Sequence, residues 1–90
     1  MIRVEFFGVP RARAGVDQLT LDLNGPSVSL RQVLDSLTRQ LPGLGAEDWL
    51  HREFGRSVSA NLNGERFVRA LEERVQEGDS VLLLSADAGG

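Results

Sequence analysis

Ser29-Leu30-Arg31-Gln32-Val33-Leu34-Asp35-Ser36-Leu37-Thr38-Arg39-Gln40-Leu41 is the segment on which the fold turns. Ser29 with Gln32 three residues later is a capping box: the hydroxyl accepts from an orphan amide at the start of a helix while the Gln side chain reaches back. Leu30, Val33, Leu34, Leu37 and Leu41 then recur at helical spacing, so one stripe of this helix faces a core. Val28 and Val33 stand on either side of the cap as a hydrophobic staple. Asn24-Gly25-Pro26 is turn chemistry before the helix, and Pro42-Gly43 stops it. Arg31, Asp35, Ser36 and Arg39 lie off the stripe, with Asp35 and Arg39 spaced to pair at i,i+4.

On both sides of this helix the period changes from 3.6 to 2. Toward the N-terminus, Ile2, Val4 and Phe6 alternate with Arg3, Glu5 and Phe7, and Leu19, Leu21 and Leu23 alternate with Gln18, Thr20 and Asp22. These are two strands of a hairpin, with Gly8 and Pro10 ending the first and a polar loop running to Asp17. Toward the C-terminus, Val58, Ala60 and Leu62 mark a third strand. Asn63-Gly64 is a tight-turn signal into a short strand around Arg66 to Val68, and Glu77-Gly78-Asp79 turns into a last, almost wholly apolar strand from Ser80 to Leu84. Residues 43–56 carry the weakest pattern; Ala46, Trp49, Leu50 and Phe54 fit one side of a short helix that lids the core, with Trp49 and Phe54 as edge filling. The expected architecture is α+β: a mixed five-stranded sheet with one main helix packed on one face, residues 1–84 as a single domain and 85–90 as a flexible tail. The far face of such a sheet carries Phe7, Leu82 and Leu84 if Val81 and Leu83 face the helix. An aromatic on an open sheet face favours docking.

Composition removes whole classes of chemistry. In 90 residues, 41% hydrophobic and 26% charged, there is room for one core. There is no cysteine and one histidine, which excludes disulfide scaffolds, thiolate zinc sites and nucleophilic Cys chemistry, and no metal site is expected. A net charge of −3 and a pI near 5.0 supply no cationic field, so nucleic acid is not an expected partner. All ten basic residues are arginine. No run approaches a membrane span and the opening residues lack a signal-peptide core, so a cytoplasmic protein without membrane association is expected. His51 beside Arg52, the acidic residues Glu72, Glu73, Glu77 and Asp79, and the loop residues Arg11 and Arg13 are read as solvated surface.

Ser85-Ala86-Asp87-Ala88-Gly89-Gly90 closes the sequence with small or polar residues. Fully extended at roughly 3.3 Å per residue it would reach about 20 Å, enough to enter another protein's active site. Two terminal glycines let the backbone thread a narrow channel.

In its opening Met1-Ile2-Arg3-Val4 with Phe6-Phe7, Arg11 and Gly15, Leu30-Arg31 to Leu37, Asn63-Gly64, Gly78-Asp79-Ser80-Val81 and Gly89-Gly90, the sequence resembles the ubiquitin-like β-grasp sulfur carriers of the MoaD/ThiS type. Within them it is most similar to the small subunit of molybdopterin synthase. The resemblance implies a β-grasp fold and a carrier, not an enzyme, that binds no cofactor of its own. An E1-like enzyme uses ATP to adenylate the Gly90 carboxylate. A sulfur donor protein converts it to a thiocarboxylate, and a MoaE-like synthase large subunit consumes the sulfur in molybdenum cofactor biosynthesis. It further implies that Phe7, Leu84 and Phe67, with Leu82 beside them, dock on these partners, and that Gly89 serves tail threading. Carriers for thiamine, cysteine or tRNA thiolation, and ubiquitin-like protein modifiers, share this kind of tail. Molybdopterin-type carriers often have prolines shortly before the glycines, where this sequence has Ser85 to Ala88.

Overall fold

The computed structural model describes residues 1–85. The elements run β1 (Ile2–Phe6), α1 (Val9–Ala14), β2 (Gln18–Leu21), β3 (Ser27–Ser29), α2 (Leu30–Gln40), α3 (Pro42–Gly45), a 3-10 turn (Ala46–Asp48), α4 (Trp49–Glu53), β4 (Val58–Leu62), β5 (Arg66–Val68), β6 (Arg74–Gln76) and β7 (Ser80–Ser85). Five strands form one mixed sheet in the order β2-β1-β7-β4-β5. β1 and β7 pair in parallel at its centre and the other neighbours are antiparallel. With α2 packed across one face, this is the expected β-grasp, α+β fold.

Period 2 in the sequence becomes burial on one side. Ile2, Val4 and Phe6 of β1, and Val81 and Leu83 of β7, meet Leu30, Val33, Leu34 and Leu37 of α2 in the core. Each such side chain contributes about 1.5–3 kcal/mol by leaving water. The capping box forms as the spacing predicts: Ser29 Oγ accepts from Gln32 N at 3.1 Å while Gln32 Oε1 accepts from Ser29 N at 2.8 Å. Both staple residues, Val28 and Val33, are buried.

Four details depart from the expectation. Residues 9–14 form helix α1, not a loop: Pro10 sits in the first turn, where the missing amide is not needed. β3 and β6 make a second, two-stranded sheet, Val28 opposite Val75, that escaped notice because each strand has only three residues. β2 stops at Leu21, and β7 runs through Ser85, whose buried side chain accepts the Val9 amide at 2.7 Å. Asp35 is used by His51, not Arg39: Nε2 lies 2.7 Å from the Asp35 carboxylate, tying α4 to α2, so His51 is a structural contact.

The short helices are held by close backbone approach. Arg13 donates to the Gly43 carbonyl at 3.1 Å, and its guanidinium stands 4.5 Å from the centre of the buried Trp49 ring. Phe54 packs half-buried at the edge of the same core, as expected. Arg11 pairs with Asp17 at 2.8 Å.

Candidate functional site: the open face of the sheet

The face of the sheet turned away from α2 is organised by register. Glu5 on β1, Leu82 on β7, Asn61 on β4 and Phe67 on β5 lie in one cross-strand row. The next row toward the C-terminal end of β7 holds Leu84 opposite Ser59, with Phe7 just beyond β1 donating its amide to the Leu83 carbonyl at 2.9 Å. Arg3, Thr20 and Ser80 make the opposite end polar. The apolar rows therefore concentrate where β7 ends.

Phe7 is 43% and Phe67 60% exposed, and Leu82 and Leu84 are half-buried between them. Alternation in the sequence places Phe7, Leu82 and Leu84 outward, the family resemblance adds Phe67, and the sheet order brings all four onto one surface. Val9 and Val16, both exposed, extend apolar surface around α1. Sequence reasoning missed them because it read residues 9–17 as a polar loop; the signal was Pro10 followed by three helix-compatible residues. Gly89 and Gly90 lie outside the described residues.

The charge pair at Arg66 stands off this face, Arg66 lying opposite the buried Leu62 on the α2 side of the sheet. Arg66 on β5 bonds Glu73 at 2.7 Å, and that bond holds the Glu73 carboxyl below the usual carboxylate range. Its folded pKa being depressed, the pair supports the fold above the ordinary glutamate pKa and loses that support as pH falls through the lowered value. Ser57, then Arg52, lower the Glu53 carboxyl in the same way at the end of α4. Among the described residues no group of three His, Asp or Glu is placed to hold a metal ion, and no helix is long and apolar enough to cross a membrane.

The sheet thus presents one open face whose apolar rows gather at the C-terminal end of β7. The ThiS family model matches residues 4–90. The chain belongs to the ThiS family. It is thus a member of the ubiquitin-like β-grasp carriers and modifiers. SAMP1 from Haloferax volcanii is similar in fold, with 24% identity, a TM-score of 0.77 and coverage of 99% of this chain and 98% of that one. Small archaeal modifier protein 1 from Methanosarcina acetivorans has 25% identity and a TM-score of 0.71 over 99% of this chain and 95% of its own. A Pyrococcus furiosus protein provisionally named molybdopterin converting factor, subunit 1, has 21% identity and a TM-score of 0.73 over 93% and 94% of the two chains. No curated protein sequence matches the chain.

Phe7→Glu tests the open face of this ThiS-family chain. With 43% of Phe7 already in water, the unfolding midpoint should move by less than about 1 kcal/mol equivalent. Affinity for any protein that docks an apolar surface on this face should fall by about 2 kcal/mol or more, because the new carboxylate would have to be desolvated against it. Titration calorimetry beside thermal melts separates the two; a variant that melts instead would place Phe7 in the core.

Proposed function

We propose that this chain is a ubiquitin-like protein modifier whose C-terminal Gly90 carboxylate is activated and transferred to amines of other proteins in the cytoplasm. The observation that supports this reading most is the 25% identity with small archaeal modifier protein 1 over 99% of this chain and 95% of that one. In the first step a carboxylate oxygen of Gly90 attacks the α-phosphorus of ATP on an E1-like enzyme, forming the acyl-adenylate and releasing pyrophosphate. In the second, an amine nitrogen of the acceptor forms the amide bond, AMP leaves, and the amine gives up a proton. A carboxylate needs this activation because its own oxygen is a poor leaving group. The chain brings the reacting carbonyl and the docking face formed by Phe7, Leu82, Leu84 and Phe67; its partner brings the catalysis.

Sulfur carriage is the second reading, favoured by the family match itself. There the same acyl-adenylate is attacked by hydrosulfide released from a donor protein, AMP leaves, the sulfur gives up its proton, and a thiocarboxylate remains on Gly90 for a MoaE-like subunit or another sulfur-using enzyme. Ser85 to Ala88, in place of the prolines that molybdopterin carriers often have, weighs against the molybdopterin subtype of carrier.

Incubation with the cognate activating enzyme, ATP and soluble cell proteins distinguishes the readings. Slower-migrating conjugates on a denaturing gel, with Gly90 joined to acceptor lysines by peptide mass analysis, are expected. Exchange of one carboxylate oxygen for sulfur in the intact mass, without conjugates, would instead support the carrier. The 90 residues contain no lysine, so each conjugate should carry single copies and no side-chain-linked chains of this protein.

A further inference from the structure

β5 covers only part of β4. Their pairing ends at Ala60 opposite Val68, and before that point, on this edge of β4, Val58 is met by the turn at Phe54. Between the turn and the end of β5 a cavity of about 270 Å³ opens, lined by Phe54, Arg56, Val58, Phe67 and Arg69. Arg56 and Arg69 are exposed, and among the described residues neither forms an ion pair or a side-chain hydrogen bond. Glu53, three residues before Arg56, directs its oxygens to Ser57 and Arg52 instead. In a chain of net charge −3, two guanidinium groups at one cavity with no ion pair or side-chain hydrogen bond among the described residues stand out against the acidic average.

We infer that this cavity takes an aspartate or glutamate side chain of the protein that activates the C-terminus, an inference that rests on the function proposed above. Two features point to that occupant. Guanidinium forks match a carboxylate geometrically, and a partner seated against the walls of Phe54 and Phe67 would exclude water, which strengthens the pairing. The cavity also borders the place where the chain leaves the sheet, since Val58 pairs with Ser85, and it is continuous with the open face through Phe67. A protein that grips the segment after Ser85 therefore faces both arginines. The space suits a side chain, not a folded element.

The test uses the full chain and its cognate adenylating enzyme, with ATP–pyrophosphate exchange as readout. Arg56→Glu with Arg69→Glu should raise KM for this chain about tenfold or more with kcat unchanged, and Arg56→Gln with Arg69→Gln should raise it less and flatten its rise with salt. Arg39→Glu, which alters charge on the exposed side of α2, should leave KM unchanged. Matching thermal midpoints for all variants keep the comparison on docking. Turnover of the wild-type chain with unaltered KM in both double variants, or an equal rise with Arg39→Glu, would overturn the acidic contact alone. No exchange with the wild-type chain would overturn the proposed function and this inference together.

Discussion

Gly43→Ala is expected to lower the unfolding midpoint by roughly 10 °C or more, the equivalent of about 3 kcal/mol in a domain of this size. A Cβ at position 43 would stand 1.9 Å from the Arg13 carbonyl oxygen and 2.9 Å from its carbonyl carbon, both backbone atoms. No rotamer change relieves that overlap, so α1 must move away from α3. The movement also breaks the Arg13 hydrogen bond to the Gly43 carbonyl and lifts the guanidinium from Trp49. Gly55→Ala is the matched control: its φ of +84° carries left-handed strain, but nothing lies within 4 Å of the added atom. It should cost only about 1–2 kcal/mol. Urea titrations of both variants check the ordering, and equal losses would mean that the contact between α1 and α3 does not hold the fold.

That contact also shows where the sequence was legible and where it was not. Strands β1, β4 and β7 and helix α2 were readable because each buries one face, and burying a face imposes a period that a few residues suffice to reveal. Ser29 and Gln32 added a chemical signature at the boundary. α1 was not readable on the same terms. Its six residues give too few turns for a period, Pro10 served equally as a strand stop, and its stability comes from Arg13 reaching across to Gly43 and Trp49, residues 30 and more positions away. The Asp35 partner was lost for the same reason: i,i+4 spacing offered Arg39, while the tertiary fold offered His51 at 2.7 Å. On the open face, alternation placed Phe7 correctly, but only sheet order could show that Phe67 from the far edge shares its surface. Arg56 and Arg69 belong to segments with no pairing signal between them, so their common cavity is a property of where β5 stops.

Under the proposed function, converting the Gly90 carboxylate to a carboxamide by semisynthesis should abolish adenylation altogether, the largest loss expected of any change to this chain. The carboxylate oxygen that attacks ATP becomes an amide oxygen, and an amide neither carries the charge nor presents the lone pair that the phosphorus requires. Deleting Gly90 is a milder lesion, because a carboxylate remains on Gly89, withdrawn by roughly 3.3 Å along the chain. Misplacement of a reacting atom by about 1 Å already costs on the order of a hundredfold, so deletion should leave less than about one per cent of the wild-type rate, above the zero of the amidated chain. Neither change touches residues 1–85, so the thermal midpoint should stay where it was. Pyrophosphate exchange on the three chains reads the ordering directly: wild type, then deletion, then the amide at background. An amidated chain activated at the wild-type rate would mean that the reacting group is elsewhere, and that the ThiS-family fold here serves as a docking module whose end does no chemistry.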